Sequence, residues 1–410
     1  MRIALFTETF IPKVDGIVTT LCQTIRQLES LGHEVLVFAP DGGFDHFLDS
    51  RIVAMKGHRF VFYPELRLSL PRASIRTALE EFKPDLIHAA DPALLGIAAL
   101  YYGGGKNGGA VHVPLVVSYH TDLPKYLNYY GLGFVERWIW PLLRKRHNRA
   151  TVNLCTSVAM IEQLAQHGIE RLALWPGGVD AERFQPSKRT QAMRVRLTDG
   201  HPEAPLLLYV GRLSAEKGIE RLKPILQAFP TARLALVGDG PHHKALTHHF
   251  AGLPVHMAGF LLGDELAEAF ASADVFVMPS CTETLGLVIL EAMASGLPVV
   301  GACAGGIPEL IEPGVSGFLF DNEGEAIAAI RALLDAPELR QTVGLAARIR
   351  AVQHGWKTAT AQLLDQYHVA CQNQAISRER APDASPRSVG SRLSHACGQA
   401  ALFTARKLLR

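Results

Sequence analysis

The sequence predicts an α/β protein built from two doubly wound parallel sheets, and three observations predict it. First, Ile3–Phe38 reads as a β–loop–α–β unit, the opening of a parallel sheet. Second, the same rhythm restarts at Leu206 after Pro176–Pro205, a stretch of prolines, turns and charge that marks a boundary. Third, 410 residues suit two domains rather than one, and 48% hydrophobic residues suffice for two cores. Both halves are therefore expected to be Rossmann-like, with residues 1–180 as the first domain, 181–204 as a linker and 205–354 as the second domain.

In order, Ile3–Thr7 reads as a buried strand, Glu8–Gly16 (ETFIPKVDG) as a loop, Ile17–Leu31 as a helix ended by Gly32, and Glu34–Phe38 as a strand. Further strands are expected at Asp85–His88, Leu115–Tyr119, Val152–Cys155 and Ala173–Trp175, with helices between them. The run Gly103–Gly109 (GGGKNGG) follows a helical pattern and lacks the Gly-Lys-Ser/Thr ending of a phosphate loop, so it reads as a surface connection. In the second half, strands fall at Leu206–Val210, Ala232–Val237, Val255–Met257, Val275–Met278 and Pro298–Val300. A helix opens near Gly286, and Glu323–Tyr367 reads as helical. Residues 376–410 turn polar, with Pro382 and Pro386, and end in AALFTARKLLR. That tail reads as a disordered linker with either a short basic amphipathic end or no role.

Composition narrows the function classes. A net charge of +2 argues against a general nucleic-acid binder. Cys22, Cys155, Cys281, Cys303, Cys371 and Cys397 are scattered without a CxxC pair, so neither a zinc site nor a disulfide framework is indicated. They read as reduced, cytosolic thiols. Met1 runs straight into a strand, which leaves no room for a signal peptide, and no apolar run has membrane-spanning length. A cytoplasmic protein is expected.

Candidate chemistry gathers at strand ends, where open α/β sheets bind ligands. Gly16 lies where the first helix begins and would let a phosphate approach the backbone, although an ordinary turn glycine looks the same. His120 follows the strand ending at Tyr119, where a structural hydrogen bond is the plain alternative. The loop Gly211–Gly218 (GRLSAEKG) places Arg212 and Lys217 where two cations could neutralise a pyrophosphate. Gly238-Asp239-Gly240 is only part of a dinucleotide fingerprint and reads as a tight turn. After Val275–Met278 come Thr282, Glu283 and Thr284, then the helix carrying Glu291. A carboxylate there can accept hydrogen bonds from sugar or ribose hydroxyls, or simply decorate a helix N-terminus. Cations for a diphosphate and carboxylates for hydroxyls describe a nucleotide-sugar better than a nicotinamide cofactor. No Asp-x-Asp triplet occurs, so a metal-held diphosphate is not indicated, no metal or other cofactor is expected, and Arg, Lys and helix N-termini must carry the leaving-group charge. Between these sites, Phe134–Arg149 mixes Trp138 and Trp140 with Arg144, Lys145 and Arg146. That mixture suits either an anionic membrane surface or a core helix with a basic, solvated end.

GRLSAEKG together with ETLGLVILEAMASG (Glu283–Gly296) resembles the retaining nucleotide-sugar glycosyltransferases of family four, over about Met1–Tyr367. The resemblance implies a GT-B fold: two Rossmann-like domains facing a cleft, with a C-terminal helix, 355–375, returning to the first domain. Within the group, FTETFIPKVDGIVTT, SYHTDLPKYLNYYGLG and the segments NLCTS, LW, GVD and RFQP look most like the sulfolipid synthases, which move sulfoquinovose from UDP-sulfoquinovose to diacylglycerol. GDP-mannose-dependent α-mannosyltransferases share much of the pattern. By resemblance, Gly16, Gly211, Arg212 and Lys217 would meet the diphosphate, and Thr284, Leu285 and Gly286 would offer it backbone N–H groups. Glu283 would meet the donor sugar, Glu291 the ribose diol, and His120 would lie beside the reacting sugar. No residue is expected to act as a nucleophile. Relatives in the lipid-acting branch often carry Arg where this chain has Gly177. The implied acceptor is a lipid, diacylglycerol for the sulfolipid synthases, met by a peripheral protein on the inner membrane face. A soluble-acceptor enzyme and a non-catalytic nucleotide-sugar-binding module are the competing readings.

Overall fold

The computed structural model describes residues 1–60, 63–69, 73–91, 94–103, 113–129, 131 and 133–379. Among the described residues, ten strands belong to the first half: β1 (Arg2–Thr7), β2 (Glu34–Pro40), β3 (His46–Phe47), β4 (Ser50–Met55), β5 (Gly57–Phe60), β6 (Tyr63–Ser69), β7 (Leu86–Ala90), β8 (Leu115–Tyr119), β9 (Val152–Cys155) and β10 (Leu172–Leu174). Six follow: β11 (Leu206–Val210), β12 (Arg233–Val237), β13 (Val255–Gly259), β14 (Val275–Met278), β15 (Val299–Ala302) and β16 (Gly317–Phe320). They form one sheet in the order β10-β9-β8-β7-β1-β2-β4-β3 and a second in the order β13-β12-β11-β14-β15-β16, while β5 and β6 pair as a separate antiparallel ribbon. Every pairing in the two large sheets is parallel except β3 with β4. In each sheet the order reverses beside the first strand of its domain, at β1 and at β11, which is where such sheets open a ligand crevice.

Helices cover both faces of the first sheet, so its strands are apolar on both sides. Alternate residues of β1 show it: Ile3 and Leu5 enter one core cluster, Ala4 and Phe6 the other. The second domain has one large cluster centred on β11, β12, β14 and β15.

Three differences from the sequence reading have physical causes. The stretch 181–204 is not a free linker. It carries the helix Gln191–Leu197, places Phe184, Met193 and Leu197 in the second core, and anchors Arg194 to Asp274 at 2.7 Å. Its prolines and charges masked a short amphipathic segment. The strands β3, β5 and β16 are brief, and β4 (SRIVAM) and β6 (YPELRLS) are interrupted by polar and charged residues, so periodicity did not reveal them. The expected helix Glu323–Tyr367 is three helices, Glu323–Asp335, Pro337–Val352 and Trp356–Glu379, broken where Pro337 starts a new first turn and at Gln353–Gly355. The run 103–109 lies outside the described residues apart from Gly103, which closes the helix Leu94–Tyr102, and the tail beyond Glu379 lies outside them entirely.

The helix Trp356–Glu379 leaves the second domain and packs on the first, contributing Leu363, Tyr367 and Ala370 to the cluster that holds Val116, Leu154 and Trp175. Val179 pairs with Gly355, and the Val179 N–H donates to the His354 carbonyl at 2.8 Å. The outgoing and returning chains thus cross between domains side by side.

Candidate active site

Two turns of the second domain are locked together at the carboxyl ends of β11 and β14. The β14 turn runs from Pro279 into the helix Leu287–Ala294, whose cap Gly286 sits at φ +93, a left-handed conformation that side chains resist. Gly305 and Gly306 support this turn from behind. A Cβ at Gly305 would stand 2.2 Å from the Glu283 carbonyl oxygen, and one at Gly306 would stand 2.5 Å from that of Thr284. The Gly306 N–H instead donates to the Glu283 carbonyl at 2.9 Å. On the other side, Thr282 Oγ1 donates to the Glu216 carbonyl at 3.3 Å and Arg221 Nη1 to that of Pro279 at 3.2 Å, tying the GRLSAEKG turn to the β14 turn.

At the junction, Lys217 Nζ meets Glu283 Oε1 at 2.6 Å, with side-chain exposures of 15% and 13%. Burial is the largest influence on the Lys217 ammonium and pushes its pKa down. The facing Glu283 carboxylate and the Tyr126 and Tyr209 hydroxyls outweigh it and hold the pKa above the usual lysine value. Burial is also the largest influence on Glu283 and opposes its charge, but Lys217 and a hydrogen bond from Ser280 leave its pKa below the ordinary carboxylate range. Both groups are therefore charged. Arg212 is half-buried nearby; desolvation lowers its pKa against the opposing pull of Glu216 and Asp15. A guanidinium stays protonated regardless. Glu291 lies one helical turn beyond Leu287, on the same face. Burial pushes its carboxyl up to about 8, with Arg183 acting in the opposite direction.

The first domain meets these turns directly. Thr284 Oγ1 donates to the His120 carbonyl at 2.9 Å, and Thr156 Oγ1 donates to the Thr284 carbonyl at 3.0 Å. Lys125 Nζ reaches the Cys281 carbonyl, and Tyr126 hydrogen-bonds to Lys217. Glu309 accepts from the Val158 and Ala159 N–H groups, both at 2.8 Å, at the start of the helix Val158–Gln166. Gly16 opens the helix Gly16–Ser30, capped by Asp15, whose Oδ1 accepts from the Val18 N–H at 2.8 Å. A Cβ at Gly16 would stand 3.7 Å from Leu287 Cδ1 of the opposing domain, and one at Gly177 would clash with Leu287 Cδ2 at 2.6 Å. Position 177 thus lies against the apolar side of the ETLG helix.

The loop after β8 is fixed by Asp91. Its Oδ1 accepts from the His120 N–H at 2.8 Å and its Oδ2 from Thr121 Oγ1 at 2.8 Å. The structure therefore brings Gly16, His120, Gly211, Arg212, Lys217, Glu283, Thr284, Leu285 and Gly286 to the facing edges of the two domains, with Glu291 one turn away. Sequence reasoning missed Asp15, Asp91 and Tyr126. Asp91 had a usable signal, an acid immediately after a buried strand, and Asp15 another, an acid just before the first helix; Tyr126 depends on a contact between distant segments.

The cationic helix Glu136–His147 divides its residues. Trp138 is 54% exposed with Arg137 stacked over it at 4.0 Å, and Arg144 and Lys145 are exposed. Trp140 corrects the membrane-facing expectation. It is 8% exposed, stacks on His167 at 3.5 Å between ring centres, and donates its Nε1–H to Glu136 at 3.0 Å. It belongs to the small core of Tyr119, Leu143 and Leu164. Arg146 likewise is half-buried, turned toward the protein at the helix spacing that buries Leu143 and His147. No helix among the described residues is long and apolar enough to cross a membrane.

Two facing parallel-sheet domains with this cation-and-carboxylate junction define a glycosyltransferase of GT-B architecture that uses a nucleotide-sugar donor. A model described as Glycosyltransferase Family 4 matches residues 14–183, and one described as Glycosyl transferases group 1 matches residues 204–336. The chain is 40% identical over 383 residues to the sulfoquinovosyl transferase SQD2 of Arabidopsis thaliana, covering 90% of this chain and 74% of that protein. It is 35% identical to a GDP-mannose-dependent alpha-mannosyltransferase of Mycolicibacterium smegmatis, over 92% of this chain and 99% of that one. The solved sucrose-phosphate synthase of Thermosynechococcus elongatus shares the fold, with a TM-score of 0.72 at 21% identity over 90% of this chain and 98% of its own. The chain belongs to glycosyltransferase family 4. The binding-module reading gives way, since these relatives are transferases.

Removing one partner of the Lys217–Glu283 pair strands the other charge in a poorly hydrated place. Lys217→Met and Glu283→Gln alone are each expected to lose about 2–4 kcal/mol in denaturant unfolding. The double variant is expected to recover most of that loss. A second test concerns pH. Glu291 stays protonated in the native state up to about 8, whereas the unfolded chain ionises near 4.5, so stability falls as pH rises through that window. Because the side chain keeps some solvent access, the penalty above pH 8 is expected to be about 2 kcal/mol rather than the whole shift. Glu291→Gln should raise the thermal midpoint by a few degrees at pH 8.5 and leave it unchanged at pH 4.

Proposed function

We propose that the chain transfers sulfoquinovose from UDP-sulfoquinovose to diacylglycerol at a membrane surface. The observation that carries the transfer chemistry is the Lys217–Glu283 pair, beside Arg212 and held against the His120 loop. The choice of sugar is supported by the 40% identity to the Arabidopsis sulfoquinovosyl transferase. GDP-mannose is the second reading, supported by the mycobacterial relative matched over 99% of its length.

In this reading the bond from the sugar C1 to the β-phosphate oxygen breaks while a bond to the acceptor hydroxyl oxygen forms on the same face. The hydroxyl proton passes to the departing phosphate oxygen, so no protein nucleophile takes part. Arg212 and Lys217 receive the charge that develops on the diphosphate, together with the N–H groups of Thr284, Leu285 and Gly286 and the helix start at Gly16. These groups, rather than a metal ion, carry the leaving charge. Glu283 exchanges part of its hold on Lys217 for donor-sugar hydroxyls, Glu291 takes the ribose diol, and His120 lies beside the sugar.

The acceptor side rests on the helix Glu136–His147 and its approach. Phe134 is 66% and Trp138 54% exposed, and a hollow of about 520 Å³ is lined by Gly133, Phe134, Glu136, Arg137 and Trp140. Apolar rings for lipid tails and exposed Arg144 and Lys145 for anionic headgroups make this the face proposed to meet the membrane.

The donor is tested by thermal shift with UDP-sulfoquinovose, UDP-glucose and GDP-mannose. A ligand at about 100 times its dissociation constant stabilises by roughly 2.7 kcal/mol. UDP-sulfoquinovose is expected to give the largest shift and to label diacylglycerol, with turnover at least about 100-fold lower in Lys217→Met. A shift with GDP-mannose alone would replace the donor. The membrane face is tested by sedimentation with phosphatidylglycerol vesicles: the wild type should pellet, and Trp138→Ser with Lys145→Glu should remain in the supernatant.

A further inference from the structure

Behind His120 runs a chain of hydrogen bonds that ends on the C-terminal helix. His120 Nε2 meets Ser118 Oγ at 2.8 Å, Ser118 Oγ meets His88 Nε2 at 3.0 Å, and His88 Nδ1 meets the Tyr367 hydroxyl at 2.8 Å. His88, Ser118 and Tyr367 are each no more than 1% exposed. The rings also pack edge to face: Trp175 against both histidines, at 5.7 and 5.6 Å, and His88 against Tyr367 at 5.7 Å. The four groups come from β7, β8, the loop after β8 and the returning helix.

The protons in this chain have one consistent order. Burial, with the neighbouring His120, brings His88 down to about 3, and burial also lowers His120, so both rings are neutral and carry one proton each. Three links therefore share four protons. If the chain ran from His120 toward Tyr367, the phenol would have to donate onward. Its surroundings are Leu363, Ala370 and Trp175, and among the described residues its hydrogen-bond partner is His88. A buried phenol proton without an acceptor is costly. In the opposite order every link is satisfied: Tyr367 donates to His88 Nδ1, His88 Nε2–H donates to Ser118 Oγ, and the Ser118 hydroxyl donates to His120 Nε2. The remaining proton then sits on His120 Nδ1.

We infer that Tyr367 is a positioning residue that, through His88 and Ser118, fixes His120 as the Nδ1–H tautomer. His120 then serves the transfer reaction as a hydrogen-bond donor to an oxygen of the donor sugar, with its other nitrogen already occupied, and does not act as a general base. This inference rests on the placement of His120 beside the sugar in the proposed function, but the tautomer itself is read without any substrate.

The test uses the full chain with ¹⁵N-labelled histidine and a long-range ¹H–¹⁵N spectrum, in which the His120 signals are assigned by their loss in His120→Gln. The wild type should show a protonated Nδ1 and an unprotonated, acceptor-shifted Nε2. Tyr367→Phe keeps the ring packing and removes the first proton of the relay; it should shift His120 to a tautomer mixture. Ser118→Ala should do the same without touching the helix. With a donor that the enzyme turns over, both variants should lower kcat by roughly tenfold at nearly unchanged KM. An Nε2–H tautomer in the wild type, or an unchanged His120 spectrum in both variants, overturns the inference. The spectrum decides this whether or not UDP-sulfoquinovose is the donor, and unchanged kcat in variants with altered tautomers would overturn the catalytic part alone.

Discussion

Thr284 touches the opposite domain twice, and the site depends on that. Its hydroxyl donates to the main chain of His120, and its own carbonyl accepts from Thr156. That residue of the ETLG turn joins Lys125, Tyr126 and Glu309 in holding the two domains together. That turn can approach only because Gly305 and Gly306 lie flat against its other side, where any Cβ would collide with the Glu283 and Thr284 carbonyls. Arg212, Lys217, Glu283 and the His120 loop lie on the turns that meet at this contact.

The electrostatics follow from the same crowding. Lys217 and Glu283 are both poorly hydrated, and each stays charged because the other is 2.6 Å away. In the proposed reaction a phosphate beside the ammonium would replace one partner of opposite sign with another and free the carboxylate for hydroxyls. Arg212 stands half-buried on the same turn, so the positive charge is assembled ahead of binding.

Much of the architecture was legible in the sequence because the parallel strands are buried on both faces. Runs such as LLLYV and VFVM declare themselves without alternation, and the boundaries of β11 and β14 agree with the reading to the residue. The strand β16 was not legible, since GFLF opens on a glycine and directly follows the turn signals Pro313 to Ser316. The helix Gln191–Leu197 was hidden among prolines and charges that looked like a linker. At the site, GRLSAEKG and ETLG drew attention to Arg212, Lys217 and Glu283 through residue type and strand-end position. Tyr126 carries no such local mark; its meaning lies in a partner far away along the chain. Trp140 shows the converse. A tryptophan within a basic segment suggests a surface anchor, yet helical spacing turned it inward while Trp138, two residues earlier, faces out.

The returning helix has a consequence for how the molecule comes into being. Its Leu363, Tyr367 and Ala370 complete a core whose other members come mainly from the strands and first helix of the first domain, with Trp175. A ribosome that has released everything through the second sheet has therefore still not delivered the whole first domain. The earliest-made half must wait, with Val116, Leu154 and Trp175 uncovered on that flank, until the last turns emerge. Folding order along this chain cannot follow synthesis order, and a fragment cut after Ala351 would hold both sheets while lacking part of the first one's interior.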